Sequence, residues 1–479
     1  MENQAFNPYL PNYEYVPDGE PYVFGDRVYV FGSHDKFNGT MFCENDYVCW
    51  SASVNNLSKW RNEGVIYKKT QDPMWQKGYK LFAPDVQKGM DDRYYLYYAF
   101  DFLGVISVAV SDSPAGKYEF YGHVQYHDGT LLGARKEDGF QYDPAVFVDD
   151  NNKVYLYSGF CPVSFPWEKF GVKEQTIKGG MVIELEEDML TVKEGPKYIF
   201  PDKLHGAGTS FEGHEFFEAP SMRKIGDTYY FIYSSINKHE LCYATSKSPA
   251  EGFQYRGTII SNGDIYFNGR TAKERLNYTG TNHGSIVEIN GQWYVFYHRQ
   301  TNRHPFSRQG CAEEIHIESD GSIKQVEMTS CGLNGKPLIG KGEYFAYIAC
   351  NLISRFGAVH YNVGVEIDDI HPYFTQEGED REDNPNQYIT NMTDGAIAGF
   401  KYFECVDVTQ ISVKVRGQGN GELQVSTILG GEKIARISIN AGEEWHIATA
   451  PIHIKSGVNA LCFTYQGDGA IDFYSFIIK

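Results

Sequence analysis

At 479 residues the chain is too long for one ordinary core, so its length predicts two domains. A formal net charge of −19 excludes the basic surface that nucleic acid or an anionic membrane demands, and no stretch approaches the ~18 apolar residues of a membrane span. Aromatics at 15% together with 49 glycines suit many short strands joined by tight turns.

The opening MENQAFNPYLPNYEYVPDGE has neither a basic nor an apolar leader segment, and the nine cysteines lack CxxC pairs or metal-ligand spacing. The expectation is a cytoplasmic protein whose cysteines serve as small buried hydrophobes in a reducing compartment.

Five aromatic ladders then follow in order: VYVFG from Val28, YYLYY from Tyr94, VYLYS from Val154, YYFIY from Tyr229 and WYVFY from Trp293. Their second positions, Tyr29, Tyr95, Tyr155, Tyr230 and Tyr294, are 66, 60, 75 and 64 residues apart. Each ladder belongs to a repeat that reads as four strands punctuated by Gly/Asp/Asn turns, such as FGD, GMDD, VDDNN, IGD and INGQ. A repeat of this length and pattern predicts a radial all-β architecture, a five-bladed β-propeller over residues 1–325. The less regular stretch 326–370 reads as a connector packed on the propeller. From His371 a different alternation predicts a β-sandwich over 371–479, entered through the acidic stretch QEGEDREDNPNQ.

Three repeats carry an acid where their first strand begins: Asp18 in VPDGEPYVF, Asp143 in QYDPAVF and Glu218 in FFEAPSM. The innermost strand of a propeller blade lines the axis, so these acids are expected to meet in one central cavity. Glycoside cleavage needs a carboxylic acid to protonate the leaving oxygen and a carboxylate to act at the anomeric carbon, directly or through water. Like charges gathered in one pit raise at least one pKa, as a general acid requires.

The segments NPYLPNYEYVPDGEPYVFGDRVYVFGSHD, LFAPDV, FQYDPAVFVDD, EFFEAPSMRK and TNHGSIVEINGQWYVFYHR together resemble glycoside hydrolase family 43, in order over about the first 325 residues. The resemblance implies an exo-acting, inverting glycosidase that releases terminal L-arabinofuranose, or D-xylose, from hemicellulose oligosaccharides. Alternatives within its reach are a main β-xylosidase, arabinanase or galactosidase activity, or a non-catalytic carbohydrate-binding propeller. It implies Asp18 as general base, Asp143 as orienter and pKa modulator, and Glu218 as general acid, with the two catalytic carboxyls about 6.5–9.5 Å apart. Where the family commonly has Asp-Pro at the base, this chain has Asp18-Gly19, which leaves Glu14 and Glu20 as fallback candidates.

The resemblance further implies that His283 lies on the axis beside a calcium ion, and that Arg308, with Arg299 as its rival, reaches the substrate or the orienting acid. Phe82 aligns with an aromatic that flanks the sugar. In GAIAGFKYF and the ending NALCFTYQGDGAIDFYSF the C-terminal part resembles carbohydrate-binding module family 6, which implies a structural calcium at Glu377, Glu379 and Asp472; the domain's single tryptophan, Trp445, is followed by a strand and reads as core. No organic cofactor is expected.

Overall fold

The computed structural model describes residues 4–101, 103–165, 178–361, 367–382, 386–440 and 442–479. Residues 383–385 of the acidic boundary stretch therefore lie outside the described residues. Five sheets follow one another along the chain, at 20–67, 85–123, 145–201, 216–261 and 286–315; their pairings are antiparallel except in the third, where Gln125–Tyr126 adds a fifth strand parallel to Thr191–Pro201.

Local chemistry explains each blade. The first hairpins of blades one, four and five are two-residue turns with positive φ at one or both positions: Gly25 at 64°, Gly226 at 60°, and Asn290 with Gly291 at 52° and 82°. These are residue types that enter the left-handed region cheaply and so match the strand twist. The ladders then alternate between two buried faces. In blade four, Tyr229, Phe231 and Tyr233 pack toward blade three, while Tyr230 and Ile232 pack toward blade five. Five hydrophobic clusters each join two consecutive blades, and the last joins blade five to blade one through Val28, Val30, Val287 and Phe296. That last cluster closes the ring, and a parallel bridge between Gly19 and Gly284 links the first and last blades at the axis.

Blade five departs from the four-strand expectation. It has three strands, Ile286–Ile289, Gln292–Arg299 and Gln309–Ile315. The edge of the third is covered by the N-terminal segment: Tyr9 N–H donates to the Gly310 carbonyl at 3.3 Å, and the Asn7 side chain exchanges two hydrogen bonds with the Ala312 backbone at 2.9 Å each. A side chain at Gly310 would meet the Tyr9 hydroxyl at 2.6 Å, so glycine is what lets the N-terminus lie there. An uncovered edge strand would be a template for pairing with another chain, and this clasp removes it.

The C-terminal region is a two-sheet sandwich around Phe400, Phe463, Phe473 and Phe476. The stretch expected as a connector is woven into it. Leu338–Ile339 and Asn351–Ile353 pair with Ile397–Cys405 in one sheet, and Gly342–Phe345 pairs with Ala470–Ile478 in the other. Its strands are only two to four residues long, too short for period-2 alternation to reveal them. All nine cysteines are free and buried.

Candidate active site

Asp18 and Asp143 each stand two residues ahead of their blade's innermost strand, Glu20–Phe24 and Ala145–Val148, and both have left-handed backbone, φ 56° and 45°. Glu218 differs. It lies inside the strand Phe216–Ile225 with pairing irregularities on either side, and the left-handed residue is the next one, Ala219, at φ 63°. Asp143 and Ala219 both precede proline, so the matching backbone positions are these two, and Glu218 is displaced by one residue. Backbone held in a sparsely populated region persists only where the surroundings enforce it, and such strain clusters at functional sites.

Asp18 and Asp143 are each 4% exposed, while Glu218 keeps partial exposure. Burial works to raise the Asp18 pKa, but the Arg308 guanidinium, then His298 and His283, outweigh it and hold the carboxyl well below the usual range. Arg308 donates from Nη1 to Asp18 Oδ1 at 2.8 Å. Its Nε and Nη2 grip Asp35 at 2.8 and 3.0 Å, a bidentate fork that fixes the guanidinium. His298 Nε2 donates to the Thr281 carbonyl at 2.6 Å, which leaves Nδ1 3.3 Å from Asp18 Oδ1.

Glu218 goes the opposite way. Burial pushes its pKa up to about 8; Lys238 and Arg308 pull it down and Asp18 adds to the rise. Asp143 is raised by burial and then by the charges of Glu218 and Asp18, against a backbone hydrogen bond from Ala219. Asp143 and Glu218 therefore titrate as a pair, in the field of an ionised Asp18. Aromatic rings cluster next to two of the acids in the chain: Phe82 and Phe160 lie 5.4 and 5.2 Å from Tyr142, and Phe160 lies 5.4 Å from Phe217.

His283 is buried on the axis, with Nδ1 3.8 Å from Asp143 Oδ2 and Nε2 4.0 Å from Glu20 Oε1. Burial lowers its pKa to about 4, so the ring is neutral near pH 7. Glu20 Oε2 accepts from Ser221 and Arg223 at 3.0 and 2.9 Å, while Oε1 is buried without a hydrogen-bond partner. Two ligands of one calcium ion, each at about 2.4 Å, stand up to about 4.8 Å apart, so an ion or a water fits between Glu20 Oε1 and His283. Glu20 Oε1 and His283 would hold a calcium ion there, and Glu20, a fallback base in the sequence reading, hydrogen-bonds Ser221 and Arg223 instead. The other fallback, Glu14, accepts from Trp50 Nε1 at 2.6 Å and lies 3.4 Å from His34, away from the three acids.

Other expected residues fall elsewhere. Arg299 is buried toward the sandwich. It donates to the Tyr347 and Ala349 carbonyls at 2.7 and 3.1 Å and stacks 3.9 Å from Phe374, so it does not serve the carboxyls. In the sandwich, Glu377 and Asp472 close on one guanidinium: Arg416 donates to them at 2.6 and 3.0 Å, and Thr390 donates to the other Asp472 oxygen at 2.5 Å. One guanidinium already occupies the place between the two carboxylates, and the Glu379 backbone, not its carboxylate, holds the neighbouring turn through Gln376 and Glu382. These residues do not fit a calcium site. Trp445 is half-buried and covered by Arg416 at 4.3 Å, not packed in the core.

Asp35, His298 and Lys238 escaped sequence reasoning. Asp35 and His298 sit just past or at the end of a ladder, in GSHD and FYHR, where the second strand of a blade returns to the cavity face.

The family model of the glycosyl hydrolases family 43 matches residues 14–323. Over its full length the chain is 53% identical to a xylosidase/arabinosidase of Thermoclostridium stercorarium, covering 99% of that protein. Among solved structures, a family 43 β-xylosidase/α-arabinofuranosidase from a compost metagenome, in complex with xylotriose and in calcium-free form, is 28% identical with TM-score 0.51, over 68% of this chain and 98% of that one. A Bacillus subtilis arabinoxylan arabinofuranohydrolase of the same family shares the fold over 99% of this chain and 97% of its own, at 21% identity and TM-score 0.51. The chain is a glycosidase of glycosyl hydrolases family 43.

Proposed function

We propose that the protein is an exo-acting, inverting glycosidase that removes terminal L-arabinofuranose or D-xylose from xylan and arabinoxylan oligosaccharides. The observation that carries this reading is the contrast between two acids at the axis: Arg308 donates to Asp18 at 2.8 Å and holds it ionised, while Glu218 has no such contact among the described residues and burial raises its pKa to about 8. Asp18 takes a proton from water as that water's oxygen attacks the anomeric carbon. Glu218 gives its proton to the glycosidic oxygen as the carbon–oxygen bond breaks. Asp143, within reach of both charges and of His283, orients the sugar and keeps Glu218 protonated. A calcium ion between Glu20 and His283 would supply fixed positive charge at the cavity floor. The sugar class rests on the full-length xylosidase/arabinosidase relative and the xylotriose-bound neighbour.

The test is hydrolysis of aryl α-L-arabinofuranoside and aryl β-D-xyloside, with proton NMR of the first-formed anomer. Turnover with inverted configuration is expected, and a retained anomer would overturn the mechanism.

A further inference from the structure

A turn of the sandwich, Gln376 to Arg381, reaches across to the propeller beside the cavity. The Asp380 carboxylate accepts from Phe37 N–H at 2.7 Å and from Asn45 Nδ2 at 3.0 Å. These two residues are the two ends of one loop, so a single carboxylate grips it at both feet. Asn45 spends its other amide proton on the Asp35 carbonyl at 3.0 Å. Tyr15 stacks on Phe37 with centroids 5.8 Å apart and donates to Gln376 Oε1 at 2.5 Å, and Arg381 lies 3.6 Å from Glu14.

The gripped loop touches the chemistry directly. Its Cys43 N–H donates to Asp35 Oδ1 at 2.9 Å, and the Phe42 ring lies 4.8 Å from the Arg308 guanidinium. Asp35 and Phe42 are thus two of the groups that set where Arg308 stands, and Arg308 sets Asp18. From blade five, Ser307 ties the loop as well, accepting from Asn38 N–H and donating to the Lys36 carbonyl at 3.1 and 2.9 Å.

We infer that Asp380 is a positioning residue for the active site, acting through the 37–45 loop on Asp35 and Arg308, and that the sandwich belongs to the catalytic unit. This rests on the catalytic reading above. Displacements of about 1 Å at a remote support can cost up to about a hundredfold in rate, and a loop still held by Ser307 gives less.

The experiment compares wild type with Asp380→Ala, Asp380→Asn and Asn45→Ala on both aryl glycosides, alongside melting temperature and amide exchange of the 37–45 peptide. Asp380→Ala is expected to lower kcat about tenfold on both sugars with KM changed less than threefold, because base and water serve either substrate alike. Asp380→Asn keeps an acceptor for Phe37 and is expected to fall between. Protection of the loop amides drops in the alanine variant. A folded Asp380→Ala protein with wild-type kcat, or one that loses only melting temperature, overturns the proposal. If that variant does not fold, Asn45→Ala cuts the same link from the propeller side, and wild-type kcat there overturns it equally. Amide exchange needs no substrate, so unchanged loop protection defeats the proposal even if the catalytic reading fails on its own.

Discussion

The propeller axis and the outer face of the sandwich both gather carboxylates around an arginine, yet only the axis is built for chemistry. On the sandwich, Glu377 and Asp472 share Arg416, all three partly exposed, and solvent screens the remaining negative charge. At the axis, Arg308 is shared between Asp18 and Asp35, while buried Asp143 and partly exposed Glu218 form no Lys or Arg salt bridge among the described residues and feel only the more distant pull of Arg308 and, for Glu218, Lys238. Uncompensated burial splits their pKa values from that of Asp18. A cluster of acids becomes an acid–base device where its cations are too few and its water is excluded.

The largest effect expected from breaking the axis side is at Glu218. Glu218→Gln should lower kcat/KM for xylobiose by about 10²–10⁴-fold, and considerably less for an aryl glycoside, whose leaving group hardly needs a proton. Equal losses on both substrates, in steady-state assays, would remove Glu218 from the acid's role. Arg308→Ala comes next: it leaves Asp18 and Asp35 as uncompensated buried charges, at about 3–5 kcal/mol of stability by denaturant unfolding, and Arg308→Lys does not restore the fork.

The pH profile gives a smaller and finer effect. Glu218 must be protonated to act, so kcat/KM should fall above about pH 8, with a limb that belongs to the coupled Asp143–Glu218 pair. Lys238 lowers the Glu218 pKa, so Lys238→Met should carry that limb to higher pH, by up to about one unit. Movement to lower pH would contradict the electrostatic account. The smallest effect lies on the sandwich. Arg416→Met should cost under about 1 kcal/mol in thermal unfolding and leave kcat unchanged, since its partners are exposed. Any rise in melting temperature with added calcium should vanish in Glu20→Gln and persist in Glu377→Gln.

Much of this was legible along the chain because blades are local. A Tyr-rich strand between Gly/Asp turns writes its alternation within a dozen residues, and Asp18, Asp143 and Glu218 could be named because each sits a similar short distance ahead of its ladder. The displacement of Glu218 by one residue was less visible, since Ala219 and not an acid occupies the left-handed position before Pro220.

What the sequence by itself determined, then, is the repeat, the two-part organisation and the three acids, all carried by spacing. Only the tertiary structure decided that Arg308 serves the acids while Arg299 serves the sandwich, two arginines nine residues apart on neighbouring stretches of one blade. It also decided that Asn7 completes the fifth blade, that Arg416 occupies the place expected for calcium, and that Asp380 holds a loop more than three hundred residues upstream. The physical reason is common to all four. Charge compensation and edge pairing depend on which groups meet across the closed ring, the domain seam or paired strands of the sandwich, and no local pattern encodes a partner at that separation.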